Sequence, residues 1–343
     1  MFGTIIASII IFGILIFVHE FGHYIVARWT GVRVLEFSIG FGKVLYGWEK
    51  NGTHYNLKLF PLGGACRMLG EEPDEESDEE SKEGSFQSKP LSSRFAVIAA
   101  GSFMNFLLGA VLFSLIYFIF LGVPQTNSTR IGEVLPGSRA EEAGLVAGDT
   151  ILAIDDEIMR DWNDVVTKIN ANPGKKLELL VKRDKAETIV PVITAEEEGK
   201  GLIGIAPFYK KYSFFPSIRL GFTYTWFFIR LIFVSLFQMF SGTIPADVTG
   251  PVGIVAVIGE VMKEGLSNLF SLAAIISVNL GIINLLPIPA LDGSRLVFLV
   301  VEGIRGRPVD PHKEGFIHFI GFTVLILLMI FIAFQDITRL FFD

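Results

Sequence analysis

The sequence predicts an α-helical membrane protein of about four transmembrane helices, with a membrane-associated β-hairpin element and one inserted α+β domain. Three observations carry this expectation. The chain of 343 residues is 51% hydrophobic and 13% aromatic, and its mean hydropathy of +0.52 exceeds that of a soluble globule. Long apolar runs recur at the start, middle and end of the chain. Between them lie two stretches of alternating pattern that are too polar to cross lipid. The net charge of -7 comes largely from one acidic run, so nothing suggests a nucleic-acid partner. The single cysteine, Cys66, excludes an internal disulfide framework.

The first span, residues 1–31, opens with seventeen uncharged residues, Phe2 to Val18, enough for a bilayer-crossing helix. No basic residue or small-residue cleavage pattern precedes His19, so the segment reads as a retained span. Within it, His19 and His23 stand four apart with Glu20 between them. On a helix i and i+4 share a face, so two imidazoles can grip one metal ion while the carboxylate handles the proton of an activated water. Ionisable groups are costly in an apolar span and point to function. The alternative is a chance spacing whose histidines only hydrogen-bond to neighbours. Arg28 and Arg33 follow the helix and set its His19 end toward the cytosol, with the N-terminus outside.

Residues 32–70 read as β structure: Val32 to Ile39, a turn at Gly40-Phe41-Gly42, Lys43 to Trp48, an Asn51-Gly52 hairpin turn, then Thr53 to Phe60 and Leu62 to Met68. Such backbone enters a membrane only where protein or a water-filled cavity covers it, and an open edge can pair with an extended substrate. An ordinary cytoplasmic hairpin fits the same residues. Residues 71–93 form a cytoplasmic loop whose acidic part, 71–83, is too polar to fold. The second span, 94–123, is rich in small residues that suit close helix contact. Asn105 within it can face the metal site or simply bond across helices.

Residues 128–195 form the inserted domain, with short β patterns and a helix from Asp161 to Asn170. Residues 207–267 read as interfacial helices; their aromatic stretch 214–240 can span or lie in the interface with Arg219 and Arg230 snorkelling. The interfacial reading keeps the basic loop 302–315 cytosolic. The third span, 268–301, holds Asn279, Asn284, Pro287, Pro289 and Asp292. Two histidines fill half a tetrahedral zinc shell, and a catalytic zinc commonly takes three protein ligands, which makes Asp292 the candidate third. Alternatively it caps the helix restarting after Pro289 and pairs with Arg295. The fourth span covers 316–335. His54, His312 and His318 read as surface or interfacial residues.

Two sets of residues carry a family resemblance. Ile131 to Asp156, with its Ser138, Ala140, Ala143-Gly144-Leu145 and Gly148-Asp149 spacing, resembles a PDZ domain of the bacterial protease-associated type. HEFGH in a first helix, that insert, and NLLPIPALDG in a late helix together resemble the site-2 protease family of intramembrane zinc metalloproteases, in its RseP/RasP-like branch. The resemblance implies Zn2+ held by His19, His23 and Asp292, and Glu20 as general base. It implies that residues 33–68, with Gly40, Phe41 and Gly42, form a membrane-reentrant element that clamps substrate, helped by Asn279 and Asn284. It further implies single-span membrane proteins or remnant signal peptides as substrates, anti-sigma factors among them, after an upstream site-1-type protease. The site lies in the cytoplasmic membrane toward the cytosol, with the PDZ domain outside. A non-catalytic PDZ scaffold and a divalent-metal transporter are the competing readings.

Overall fold

The computed structural model describes residues 2–71, 84–184, 186–197, 199–244 and 249–342. Apart from Glu71, the acidic run 71–83 lies outside the described residues. The chain forms two units, Met1–Ile116 with Ser217–Asp343, and Tyr117–Pro216.

The first unit starts with α1, Phe2–Trp29. Its buried residues Ser8, Ile11, Leu15, His19, Gly22, His23 and Ala27 recur every three or four positions, so one face points inward. Ile5, Ile9, Ile10 and Ile14 on the other face are exposed. A helix apolar outside as well as inside suits lipid. The hairpin follows as β1, Val34–Lys50, and β2, Thr53–Met68. Asn51 and Gly52 both take positive φ, 54° and 74°, as a two-residue hairpin turn demands. The Gly40-Phe41-Gly42 segment, expected as a turn between strands, lies inside continuous β1. Both glycines have φ near +88° (88° and 87°) and the pairing register slips on either side of Phe41, so the segment is a bulge. Val34–Ile39 lies between two parts of β2, pairing with 54–57 on one side and 64–68 on the other.

Next comes α2, Leu91–Leu115, prolonged by a wider π turn to Phe120. The second unit then carries β3 (Gly122–Pro124), β4 (Ile131–Val134), α3 (Arg139–Glu142), β5 (Thr150–Ile154), β6 (Glu157–Ile158), α4 (Trp162–Asn170), β7 (Lys176–Arg183), β8 (Ala186–Ile193), β9 (Ala195–Glu197), β10 (Lys200–Leu202), β11 (Ile205–Pro207) and β12 (Tyr209–Lys211). Its main sheet runs β6-β5-β7-β8, while β11 pairs with β4 and β12 with β3. Ile131, Ile151, Ile154, Val165, Leu177 and Leu179 fill its core. The unit therefore extends past the expected 128–195, because its last strands return to its first.

The first unit resumes with α5, Phe214–Phe240, α6, Pro251–Glu264, α7, Leu266–Leu285, α8, Asp292–Arg305, and α9, Pro311–Phe342. The expected third span at 268–301 is two helices. A residue before proline is pushed out of the helical region, and Leu286, ahead of Pro287, has φ -66° and ψ 144°. Among the described residues, five helices are long and apolar enough to cross a membrane: α1, α2 with its π turn, α5, α7 and α9. That is one more than expected, the addition being α5, which is a single uninterrupted helix.

Candidate metal centre

Small residues let α2 approach α1 at the level of the histidines. A Cβ added at Gly22 would lie 2.8 Å from the Ala100 carbonyl carbon, and one at Gly101 would lie 2.7 Å from the Cε1 atoms of both His19 and His23. The α2–α7 contact is fixed by Ser277, whose hydroxyl donates to the Asn105 carbonyl at 2.8 Å. The kink at Leu286 to Leu291 then turns the chain back, and Asp292 arrives as the first residue of α8. A carboxylate in that position also meets the positive end of the helix dipole.

Three donor atoms converge there. His19 Nε2 and His23 Nε2 are 3.3 Å apart, and Asp292 Oδ2 is 3.2 Å from the first and 3.3 Å from the second. Both histidines are 8% exposed, and Asp292 Oδ2 is buried without a hydrogen-bond partner. Zinc bonded tetrahedrally at about 2.0–2.1 Å separates its ligand atoms by about 3.3–3.4 Å. The triangle matches those edges, so this donor set fits zinc. The His23 Nδ1–H donates to the Val97 carbonyl at 2.9 Å, which leaves its Nε2 lone pair facing the triangle. Asp292 does not pair with Arg295, whose partner is Glu71.

Glu20 faces the strand Gly64–Met68: a Cβ on Gly64 would lie 2.7 Å from Glu20 Cγ. A cavity of about 610 Å³ holds the triangle, Glu20, that strand and Arg295. Of the other residues singled out in the sequence, Asn284 lies against the His19 ring, its Nδ2 3.4 Å from both ring nitrogens. Asn279, five residues earlier on α7, falls on a different face and does not line the cavity. Gly40, Phe41 and Gly42 do not line it either; Phe41 sits on the exposed arm of the hairpin, its ring against Gly63.

Three polar contributors escaped the sequence reading. Glu71, placed in the polar loop, accepts the Met68 N–H at 3.1 Å and pairs with Arg295, tying the end of β2 to α8. His318, read as a surface residue, lines the cavity and accepts the Ala290 N–H at 3.1 Å on Nδ1; the positive φ of Ala290, 78°, aims that N–H at it. The Val97 carbonyl is backbone and carries no sequence signal.

Comparison with known proteins decides the family. The profile of peptidase family M50 matches residues 7–328. The chain belongs to peptidase family M50. It is similar to the zinc metalloprotease RasP of Geobacillus kaustophilus, 35% identical with 98% of each chain covered. It is also similar to the regulator of sigma-W protease RasP of Bacillus subtilis, 36% identical with 99% of each covered. Among solved structures, the PDZ domain of an SdrC-like protein from Listeria monocytogenes aligns with 23% of this chain and 85% of its own, at 20% identity and TM-score 0.21. This M50 chain is an intramembrane zinc metalloprotease, a multi-pass membrane protein whose cofactor is Zn2+. Membership sets aside the scaffold and transporter readings.

Proposed function

We propose that this peptidase cleaves single-span membrane proteins within or beside their membrane segment, and that His19, His23 and Asp292 hold its zinc. The observation that carries the reading is the donor triangle, built by two helices remote in sequence, with edges of 3.2–3.3 Å. Zinc, when bound, supplies a Lewis acid that acidifies water and polarises a carbonyl. Glu20 takes the proton of the attacking water and returns it to the leaving amine.

A helical substrate hides its carbonyls in its own hydrogen bonds, so it must be held extended. The edge strand Gly64–Met68 pairs on one side with Val34–Ile39 and borders the cavity on the other, a position suited to adding a substrate strand. The hairpin arm bearing Phe41, Leu45, Tyr46, Trp48 and Phe60 is exposed. An apolar sheet of that kind calls for a cover, which supports a membrane-reentrant element. The inserted unit has strands and a groove between α4 and Leu202–Ile205, in keeping with a PDZ domain.

The orientation follows from charge: the His19 end toward the cytosol, the N-terminus and inserted domain outside. By analogy with the relative named regulator of sigma-W protease, a membrane-tethered anti-sigma factor, already shortened outside by a site-1-type protease, is the substrate class. The test is co-expression of Glu20→Gln or Asp292→Asn with a tagged single-span substrate. Glu20→Gln is expected to keep zinc and lose cleavage; Asp292→Asn is expected to lose both. Cleavage by Glu20→Gln at the wild-type rate removes Glu20 from the mechanism.

A further inference from the structure

We infer that Asn105 is the positioning residue of His19, its side-chain carbonyl accepting the Nδ1–H and so holding the Nε2 lone pair toward the metal. The inference rests on the zinc triangle proposed above.

A histidine that binds metal through Nε2 is neutral and carries its proton on Nδ1. That proton needs an acceptor. For His23 the acceptor is the Val97 carbonyl. For His19 the in-reach group is the Asn105 side chain, whose Nδ2 lies 3.1 Å from Nδ1. Two N–H donors then face one another, while Asn105 Oδ1 is buried with no partner. A half-turn of the amide about its last side-chain bond exchanges oxygen and nitrogen within the same shape. It gives the Nδ1–H its acceptor and the stranded oxygen its donor in one step. Asn284 does not substitute: its Nδ2 is equidistant, at 3.4 Å, from both ring nitrogens, which puts it over the ring rather than along either in-plane lone pair.

Asn105 is also held in place. It is 0% exposed, and its own backbone carbonyl accepts from Ser277 on α7. The residue that ties α2 to α7 thereby sets which nitrogen His19 presents. Conversely, in the amide orientation with Nδ2 toward His19, the ring must carry its proton on Nε2, and that tautomer has no lone pair for a metal.

The experiment uses the purified full chain in detergent, with zinc affinity measured by chelator competition and folding followed by helical circular dichroism. Asn105→Leu, of similar size but without an acceptor, is expected to bind zinc about 10–100-fold more weakly while staying helical. Asn105→Asp, which restores an acceptor, is expected to recover most of that loss. Nitrogen-15 spectra of histidine-labelled, zinc-loaded wild type give a second measurement that does not depend on variant folding: His19 is expected as the Nδ1–H tautomer. Wild-type affinity in folded Asn105→Leu, failure of Asn105→Asp to recover, or an Nε2–H His19 overturns the inference. The controls His23→Ala and Asp292→Asn separate the two readings, because undiminished zinc binding in both means that the triangle itself is not the metal site.

Discussion

Gly101 shows how narrowly the centre is built at the scale of single residues. It lies on α2 directly against both imidazoles, and any side chain there would meet His19 and His23 at their Cε1 atoms, 2.7 Å away. Those rings cannot withdraw, since His23 is tied to Val97 and His19 is packed between Asn105 and Asn284. Gly101→Ala is therefore expected to cut bound zinc at least about tenfold, as loss of a ligand-orienting contact does, while Gly13→Ala, on α1 where a Cβ meets nothing within 4 Å, leaves zinc unchanged; metal analysis of the purified variants checks both. The histidine pair was legible in the sequence because spacing alone puts i and i+4 on one face. Asp292 was legible as an expensive carboxylate in search of a partner. The role of Gly101 was not, because a glycine in a membrane helix reads the same whether it admits a neighbouring helix or a metal ligand. Arg295 stood only as the alternative partner of Asp292, three residues away on the same helix; its actual partner, Glu71, comes from the far end of the hairpin.

At the scale of elements, the hairpin and the helix break contribute most. Glu71 links them, accepting from the Met68 N–H and pairing with Arg295 three residues after Asp292. Removing that carboxylate frees the end of the edge strand and leaves a guanidinium unpaired at the cavity wall. Glu71→Ala is expected to speed amide exchange at Gly64–Met68 and to lower cleavage several-fold with zinc content retained, read by hydrogen exchange and substrate processing. The Asn51-Gly52 turn and the Pro287 break were readable because each imposes a backbone conformation. The division of β2 around both sides of Val34–Ile39 was not, since pairing partners in a sheet depend on contacts that no local pattern encodes. In the inserted unit, Asp149 of the Gly148-Asp149 spacing proves to be an internal brace. It is 1% exposed and accepts two bonds from Arg183, each at 2.8 Å, and one from the Val146 N–H at 3.1 Å. The Arg183 guanidinium holds its carboxyl below the usual carboxylate range, with the Val146 N–H adding to the effect. A lowered folded pKa means stability that is present above the unfolded value of about 3.9 and is lost as pH falls through the folded one. Protease resistance of this unit in the full chain is expected to fall between about pH 4 and lower pH. In Asp149→Asn that pH step is expected to shrink and resistance at neutral pH to drop.

At the scale of the molecule, helix directions can be read from contacts along the bundle. Gly259 of α6 meets Thr4 near the start of α1, whereas Asn284 at the end of α7 meets His19. Helices α1 and α7 therefore run the same way. His318 of α9 sits at the metal level beside Ala290, and Asp336, eighteen residues on, binds the Gly250 and Gly253 N–H groups at the start of α6. That separation is about 27 Å of helix, so α9 runs back toward the Thr4 end, and α6 starts there. Now consider α5. Its first half packs on the far part of α2, Gly221 against Ala110 and Ser114, and Thr225 near Gly109. After α5 the chain stays folded through Thr243, whose N–H bonds Gln238 at 2.9 Å. About seven residues then remain to reach Gly250, a reach of at most about 25 Å, less than the roughly 30 Å hydrocarbon core. Helix α5 has the length and hydropathy of a span; we propose that its exit lies on the side from which α6 begins. Length and composition do not separate the two readings; the interfacial one is the reading that keeps a basic loop at 305–313 cytosolic. Cysteines placed singly at exposed Ser241 and at exposed Arg307, in a Cys66→Ser background, report this directly in intact cells. A membrane-impermeant maleimide is expected to label position 241 from outside and position 307 only after the membrane is opened. Labelling of position 241 only after opening would make α5 a full span and overturn the interfacial reading.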